Sequence, residues 1–411
     1  MNFYEIDQCR ISGSKNLITV LDLGVQSLTG VFPKSIDEVV TAGPLKLVWC
    51  PDSGLLQLQH TYDLNEMYGD NYGYRSGLNL SMVNHLKNKV KHLQRIVKLD
   101  INDVVLDIGS NDGTLLKSYE NIGIKRVGID PTGNKFRHFY DESILLIADF
   151  FNAADYKKYL PESPAKIITS ISMFYDLQSP IEFVRDVQKV LDKEGIWHFE
   201  QSYMPTMLRM NSYDTVCHEH LEYYSLTVVK KLLESCEMKI VDVQMNAVNG
   251  GSFAVTAAHK QSLLKANDSV INWMLAQEER MGLHTPAPFR HFEERVYSHR
   301  ANLVELIKTL RADGKKVVGY GASTKGNVLL QFCGFGPDDI ECVAEVNPDK
   351  FGAYTPGTKI PILSEKEVKA MQPDYMLVLP WHFRDSIIQR EAEYLANGGK
   401  LIFPMPEIEI V

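Results

Sequence analysis

The chain has 411 residues, 45% hydrophobic and 23% charged, with a formal net charge of −9 and an isoelectric point near 5.8. That length exceeds one ordinary core, so two or three domains are expected. The acidic balance, with no basic stripe to neutralise phosphates, argues against a nucleic-acid partner, and the apolar runs are strand-length and broken by charges, which argues against a membrane span.

Met1 to Asp7 lacks the basic and apolar regions of a secretory signal. The six scattered cysteines then point to reduced thiols and a cytoplasmic protein. Residues 1–85 read as a small β-rich head. Cys9-Arg10-Ile11-Ser12-Gly13 and Cys50-Pro51-Asp52-Ser53-Gly54 form two similar turns, each with a serine three places after its cysteine. Four thiols at these positions would be a zinc knuckle, but serine is a poor zinc ligand. The expectation is a head that has lost its metal, with no metal ligand assigned. The head ends in a stretch rich in tyrosine, from which Tyr72 and Tyr74 are expected to face the active site.

Residues 86–258 alternate strands and helices. Val104 to Ile108 is an apolar run ending in Asp107-Ile108-Gly109-Ser110-Asn111-Asp112-Gly113, with a helix expected directly after it. The glycines permit a sharp turn and close ligand approach. The carboxylates argue against a pyrophosphate and for S-adenosylmethionine (SAM), whose amine they could accept. Two further strands end in Asp130, suited to the ribose hydroxyls, and in Asp149 and Phe150, suited to the adenine. Gly109, Ser110, Asn111, Asp112, Gly113 and Ser170, on the fourth strand, complete the expected cofactor site with Asp107.

The fifth strand ends at Glu200, which with Tyr203 is a substrate candidate. Next comes Tyr213-Asp214-Thr215-Val216-Cys217-His218-Glu219-His220, a concentration of titratable groups in a connecting segment. The histidines lie two apart, without His-Glu-x-x-His spacing, so acid/base chemistry is favoured over a metal site. A histidine with a pKa near neutrality can take a proton while Glu219 orients it. Residues 259–312 turn helical and charged, and 313–411 open like the middle domain. Here Gly319-Tyr320-Gly321-Ala322-Ser323-Thr324-Lys325 has no acids and is a setting for phosphates, without being a P-loop. Asn249, Gly250, Tyr320, Ser323, Lys325 and Tyr72 are further substrate candidates.

With these motifs in this order, the chain resembles the three-domain, SAM-dependent C-methyltransferases of nucleotide-linked deoxysugars, typified by C-3′-methyltransferases of branched-sugar biosynthesis. The resemblance covers nearly the whole chain: the cysteine-bearing head, Asp107 to Gly113, Asp149-Phe150-Phe151, Glu219-His220, Asn249-Gly250-Gly251 and Gly319 to Ala322. It implies an α/β protein with a small N-terminal β-rich head, a central class I methyltransferase domain and a C-terminal Rossmann-like domain. It also implies a 4-keto-6-deoxy nucleotide-sugar substrate between the last two, His220 as the base that removes the proton next to the ketone, Glu219 as its neighbouring carboxylate and Tyr74 as the tyrosine of the head. His218 is a further candidate for holding the enolate oxygen. The chain departs from the family at Ser12, Ser53, Cys217 and Asp176. Sugar O-methylation and a non-catalytic SAM- and nucleotide-binding protein are the competing readings, and the sequence carries no sign of oligomeric state.

Overall fold

A computed structural model describes residues 3–63, 67, 75–120 and 123–411. Tyr72 and Tyr74 lie outside the described residues. The head contains β1 (Phe3–Glu5), β2 (Ile18–Ser27), β3 (Ala42–Trp49), β4 (Leu56–Leu58) and β5 (His60–Tyr62). Its two cysteine turns have the same hydrogen bonds: Gly13 N–H donates to the Cys9 carbonyl and Gly54 N–H to that of Cys50, each at 2.8 Å. Both glycines have φ near the left-handed region, +69° and +83°, where a side chain would be strained.

The large sheet holds β6 (Val104–Ile108), β7 (Lys125–Ile129), β8 (Ile144–Ile147), β9 (Ala165–Ile171) and β10 (Leu191–Ser202). A short strand, β11 (Glu222–Tyr223), leaves this sheet, and β12 (Met238–Asn246) and β13 (Ser252–His259) complete it. The order is β12-β13-β10-β9-β6-β7-β8, with β13 antiparallel to β10 and the remaining pairs from β10 to β8 parallel. This is the class I methyltransferase arrangement. Its strand order reverses beside β6, which opens a crevice at the carboxyl ends of β6 and β9. The helix expected directly after Gly113 is a single 3-10 turn over Leu116–Ser118. The turn ends where Tyr119 takes extended backbone angles, φ −77° and ψ +132°, with its ring buried.

β11 pairs with β4, so the head sheet runs β11-β4-β3-β2. Two helices, Asp268–Arg280 and Ala287–Ala312, lead to the last sheet, which holds β14 (Val317–Tyr320), β15 (Val343–Glu345), β16 (Ile362–Ser364), β17 (Tyr375–Val378), β18 (Lys400–Phe403) and β19 (Glu409–Ile410). Five of its strands are parallel and β19 is antiparallel to β18. A single apolar core joins head strands to this sheet. Trp49 packs against Phe289 of the long helix with ring centroids 5.0 Å apart; truncating so buried a ring to alanine costs about 3–5 kcal/mol. Polar contacts lock the same seam. Ser27 N–H donates to Gln331 Oε1 at 2.7 Å, and Asn327 Nδ2 donates to the Thr29 carbonyl at 2.8 Å. Among the described residues no helix is long and apolar enough to cross a membrane.

Candidate active site

The turn after β6 is built from backbone strain and carboxylates. Gly109 and Gly113 have φ of +75° and +72°, and a Cβ on Gly113 would stand 3.1 Å from the Tyr140 ring. Asp107 is buried under the turn and accepts a 2.6 Å hydrogen bond from the Thr169 hydroxyl; burial pushes its carboxyl up to about 7. Asp130 accepts from the Asn111 and Thr132 amides, both at 2.7 Å, and burial raises its pKa too. Tyr140, which the sequence reading passed over, bonds the Ser110 hydroxyl and the Asn111 carbonyl, each at 2.8 Å.

A second layer closes over the turn from the segment following the head. Ser76 and Gly77 amides donate to Asn111 Oδ1 and Asp112 Oδ2 at 2.9 Å, and the Arg75 guanidinium lies 3.5 Å from Asp112. Asp112 is thereby engaged by protein. Asp149 and Phe150 stand exposed after β8 at the same edge. Ser170 is placed elsewhere: fully buried, its hydroxyl accepts from the Trp197 indole at 3.1 Å. Neighbouring residues of a strand point to opposite faces, so Thr169 serves the turn and Ser170 the core.

The second cluster lies where the segment 213–223 passes between the head and the last sheet. Leu221 and Glu222 amides donate to the Tyr175 carbonyl at 2.8 and 3.0 Å, and Leu58 N–H donates to the Leu221 carbonyl at 2.9 Å. These bonds hold His220, whose ring packs on Tyr175 with centroids 4.3 Å apart. His220 Nδ1 is 2.9 Å from the Thr215 carbonyl. A carbonyl only accepts, so Nδ1 carries the proton and the neutral ring keeps its lone pair on Nε2. Burial pushes the His220 pKa down to about 4, which leaves the base form at neutral pH. Tyr175, Ser202, Met204, Met207, Glu222 and Tyr223 line a small cavity with it.

Glu219 points the other way, toward the last domain. A Cβ on Gly30 would meet Glu219 Oε1 at 2.8 Å and Thr324 Oγ1 at 3.9 Å, and burial raises the Glu219 pKa. Lys325 Nζ donates to the Asn249 carbonyl at 2.7 Å, and Asn249 itself takes a φ of +55°. Gly250 lies against the Trp381 ring, to which a Cβ would stand at 3.5 Å. The Trp381 indole in turn donates to Asp214 Oδ2 at 2.8 Å. Trp381 and His382 lie in the 3-10 turn that begins three residues after β17 and went unnoticed in the sequence, although an aromatic pair just past a parallel strand's carboxyl end is a usable signal.

Five expected site residues do other work here. His218 is fully buried edge-on to Tyr62, 4.6 Å away, on the opposite side of the segment from His220. Glu200 receives His85 Nε2 and Asn246 Nδ2 at 2.6 Å and Lys89 Nζ at 2.5 Å. Burial alone would raise its pKa, and His85 and Lys89 outweigh that and lower it. The Tyr203 hydroxyl donates to Glu278 at 2.6 Å, and the Tyr320 hydroxyl to Glu391 at 2.9 Å; both carboxylates are buried in their own domains. Ser323 caps the helix Thr324–Cys333, accepting from Gly326 N–H at 3.0 Å.

In the head, Cys9 Sγ lies 3.2 Å from Ser53 Oγ and Ser12 Oγ 3.6 Å from Cys50 Sγ. The two turns face each other as a zinc knuckle would, but each thiol is paired with a hydroxyl. Two thiolates and two serines do not make a zinc donor set, and the described residues hold no group of three or more metal-ligating His, Cys, Asp or Glu side chains.

Three family models match the chain: "Putative zinc binding domain" over residues 9–68, "Methyltransferase domain" over 84–243 and "C-methyltransferase C-terminal domain" over 247–406. Among solved structures the chain is similar to a SAM-dependent methyltransferase from Aquifex aeolicus, with 16% identity, 44% of this chain and 97% of that one covered, and a TM-score of 0.32. It is also similar to the Burkholderia thailandensis 1,6-didemethyltoxoflavin-N1-methyltransferase with S-adenosylhomocysteine bound, with 12% identity, 45% and 83% covered, and a TM-score of 0.34. C-methyltransferase NovU of Streptomyces niveus is 32% identical over 409 residues, which is 99% of this chain and 97% of that protein. At that identity over the full length, the chain belongs to the SAM-dependent C-methyltransferase family.

Proposed function

We propose that this enzyme methylates a carbon next to the ketone of a 4-keto-6-deoxy nucleotide sugar, with His220 removing the proton from that carbon. The observation that carries the reading is the Nδ1 hydrogen bond of His220 to the Thr215 carbonyl. It fixes the ring and leaves the Nε2 lone pair free to act as a base, on a ring that lines the small cavity with Tyr175, Ser202 and Met204. A C–H next to a ketone is acidic enough for such a base, because the charge left behind moves to oxygen. Asp107, Gly109, Ser110, Asn111, Gly113, Asp130, Asp149 and Phe150 border the crevice that would hold SAM, with Asp112 fixing the segment above. When bound, SAM supplies an electrophilic methyl group. Glu219, Asn249, Gly250 and Lys325 would border the sugar nucleotide.

The test is solvent deuterium exchange at the carbons flanking the ketone, read by mass spectrometry and NMR, first without SAM and then with it. Exchange without SAM and a new C-bound methyl with it, both lost in His220→Asn, support the reading and identify the carbon. A methyl on oxygen without carbon exchange moves the assignment to O-methylation. Neither signal across several nucleotide sugars refutes the substrate class.

A further inference from the structure

We infer that Arg75, carried on the segment that closes over the turn after β6, binds the carboxylate at the amino-acid end of SAM. This deepens the reading of that crevice as the SAM site and rests on it. The segment lies directly on the turn. Ser76 and Gly77 amides donate to Asn111 Oδ1 and Asp112 Oδ2 at 2.9 Å, and a Cβ on Gly77 would stand 2.6 Å from Asp112 Oδ2. These contacts set the Arg75 side chain beside the turn, with Nε 3.5 Å from Asp112 Oδ2.

The guanidinium is held in place without being saturated. It lies on the Phe139 ring, Cζ 3.9 Å from the centroid, and Phe139 ends the 3-10 turn Arg137–Phe139 that follows β7. Among the described residues the guanidinium makes no hydrogen bond. Asp112 is already engaged: Oδ1 accepts from the Thr114 hydroxyl at 2.6 Å and Oδ2 from Gly77 N–H. A guanidinium has five N–H donors in a planar fork. With Nε turned to Asp112 and one face on the ring, the edge formed by the two terminal nitrogens is left. That edge matches a carboxylate in two parallel hydrogen bonds.

Charge decides which part of the ligand it meets. SAM carries a sulfonium, an ammonium and a carboxylate. Asp107, Asp112, Asp130 and Asp149 stand at the same edge of the sheet, so the two cations are favoured there and the carboxylate is the one group these acids repel. A cation fixed at the turn removes that repulsion. Lys117 is a second cation beside the turn, its Nζ 3.3 Å from the Asp112 carbonyl. It is exposed, whereas Arg75 is partly covered, so water screens the lysine more.

The experiment measures, by calorimetry, the binding of S-adenosylhomocysteine, of its decarboxylated analogue S-adenosyl-3-thiopropylamine and of 5′-methylthioadenosine, which lacks the amino-acid end. The proteins are the full-length wild type, Arg75→Met, Arg75→Lys and Lys117→Met. In Arg75→Met, S-adenosylhomocysteine should bind about 10–10²-fold more weakly and 5′-methylthioadenosine within about threefold of the wild type. The decarboxylated amine should bind as well or more tightly, because a repelling positive charge has gone. Arg75→Lys should recover part of the loss, and Lys117→Met should change S-adenosylhomocysteine affinity by less than about threefold. Equal losses for all three ligands in Arg75→Met would overturn the inference and make the arginine a clasp for its own segment. Unchanged S-adenosylhomocysteine affinity would overturn it too, as would a wild type that binds this ligand no better than the decarboxylated amine. If Arg75→Met does not fold, Arg75→Gln is read on the same three ligands. A wild type that binds no S-adenosylhomocysteine refutes the assignment of the crevice itself, and so is distinguishable from a failure of the arginine's role.

Discussion

Changing Ser12 and Ser53 together to cysteine places four thiols around the head's two facing turns. In a tetrahedral site with Zn–S bonds of about 2.3 Å, neighbouring sulfurs lie about 3.8 Å apart, and the existing Cys9–Ser53 and Ser12–Cys50 contacts are 3.2 and 3.6 Å. The turns therefore need to open by only a few tenths of an ångström. Without metal, the double variant loses one buried and one part-buried hydrogen bond, worth about 1 kcal/mol each at most, so it should be about 1–2 kcal/mol less stable than the wild type in chelator. With zinc at about 1,000 times its Kd, binding adds about 4.1 kcal/mol, and the order of stability reverses. Denaturant melts in EDTA and in zinc, with metal content after desalting, measure both signs. One zinc per chain that survives chelation in the wild type, or a double variant that binds none, would refute the reasoning.

His220→Asn should lower exchange and methyl transfer by about 10²–10⁴ while the thermal melt stays near that of the wild type; a loss below tenfold would remove His220 as the base. With its pKa near 4, wild-type turnover should be level from neutral pH to about pH 6 and decline toward pH 4, which a pH–rate profile checks. His218 is also pushed down to about 4 by burial, whereas an unfolded histidine titrates near about 6.5. Between those values the unfolded chain binds more protons, so stability falls as pH falls, by up to about 3 kcal/mol from this one residue. Urea midpoints at pH 7 and pH 5 should show that slope, and His218→Gln should flatten it. Gly30→Ala drives a methyl against Glu219 Oε1, 2.8 Å from the added carbon; the mobile carboxylate end gives way, so the fold should survive while turnover falls as Glu219 moves. Trp381→Phe leaves the buried Asp214 carboxylate without its indole donor and should cost about 1–3 kcal/mol in a denaturant melt.

The strand and glycine turn from Asp107 to Gly113 were legible because their signals are local. Strand end, glycine spacing and carboxylates all lie within a few residues. The environments of Ser170, Glu200 and Tyr320 were not, since β9, β10 and β14 are buried on both faces and alternation cannot say which face meets a ligand; Tyr203 is the N-cap residue of the helix that follows β10. Their partners, Trp197, Lys89, Glu278 and Glu391, are distant in sequence or sit in segments that read as ordinary helix. The helix after Gly113 failed for a simpler reason. An apolar period there is satisfied by burying Leu115, Leu116 and Tyr119 around one tight turn. The paired Cys and Ser turns were visible in the sequence, but that the four side chains meet in two hydrogen-bonded couples required the fold.

The pairing of β11 with β4, Glu222 opposite Gln57, has a consequence for how the molecule is made. The head leaves the ribosome before the segment bearing His220, and one edge of its sheet stays open until that segment has been synthesised. Early in translation β4 is then an exposed edge capable of pairing with another nascent chain. Late in translation the same event that closes that edge sets His220 in place. Catalytic competence and protection from edge-to-edge association should therefore appear together during folding, and a chain truncated before residue 222 should show neither.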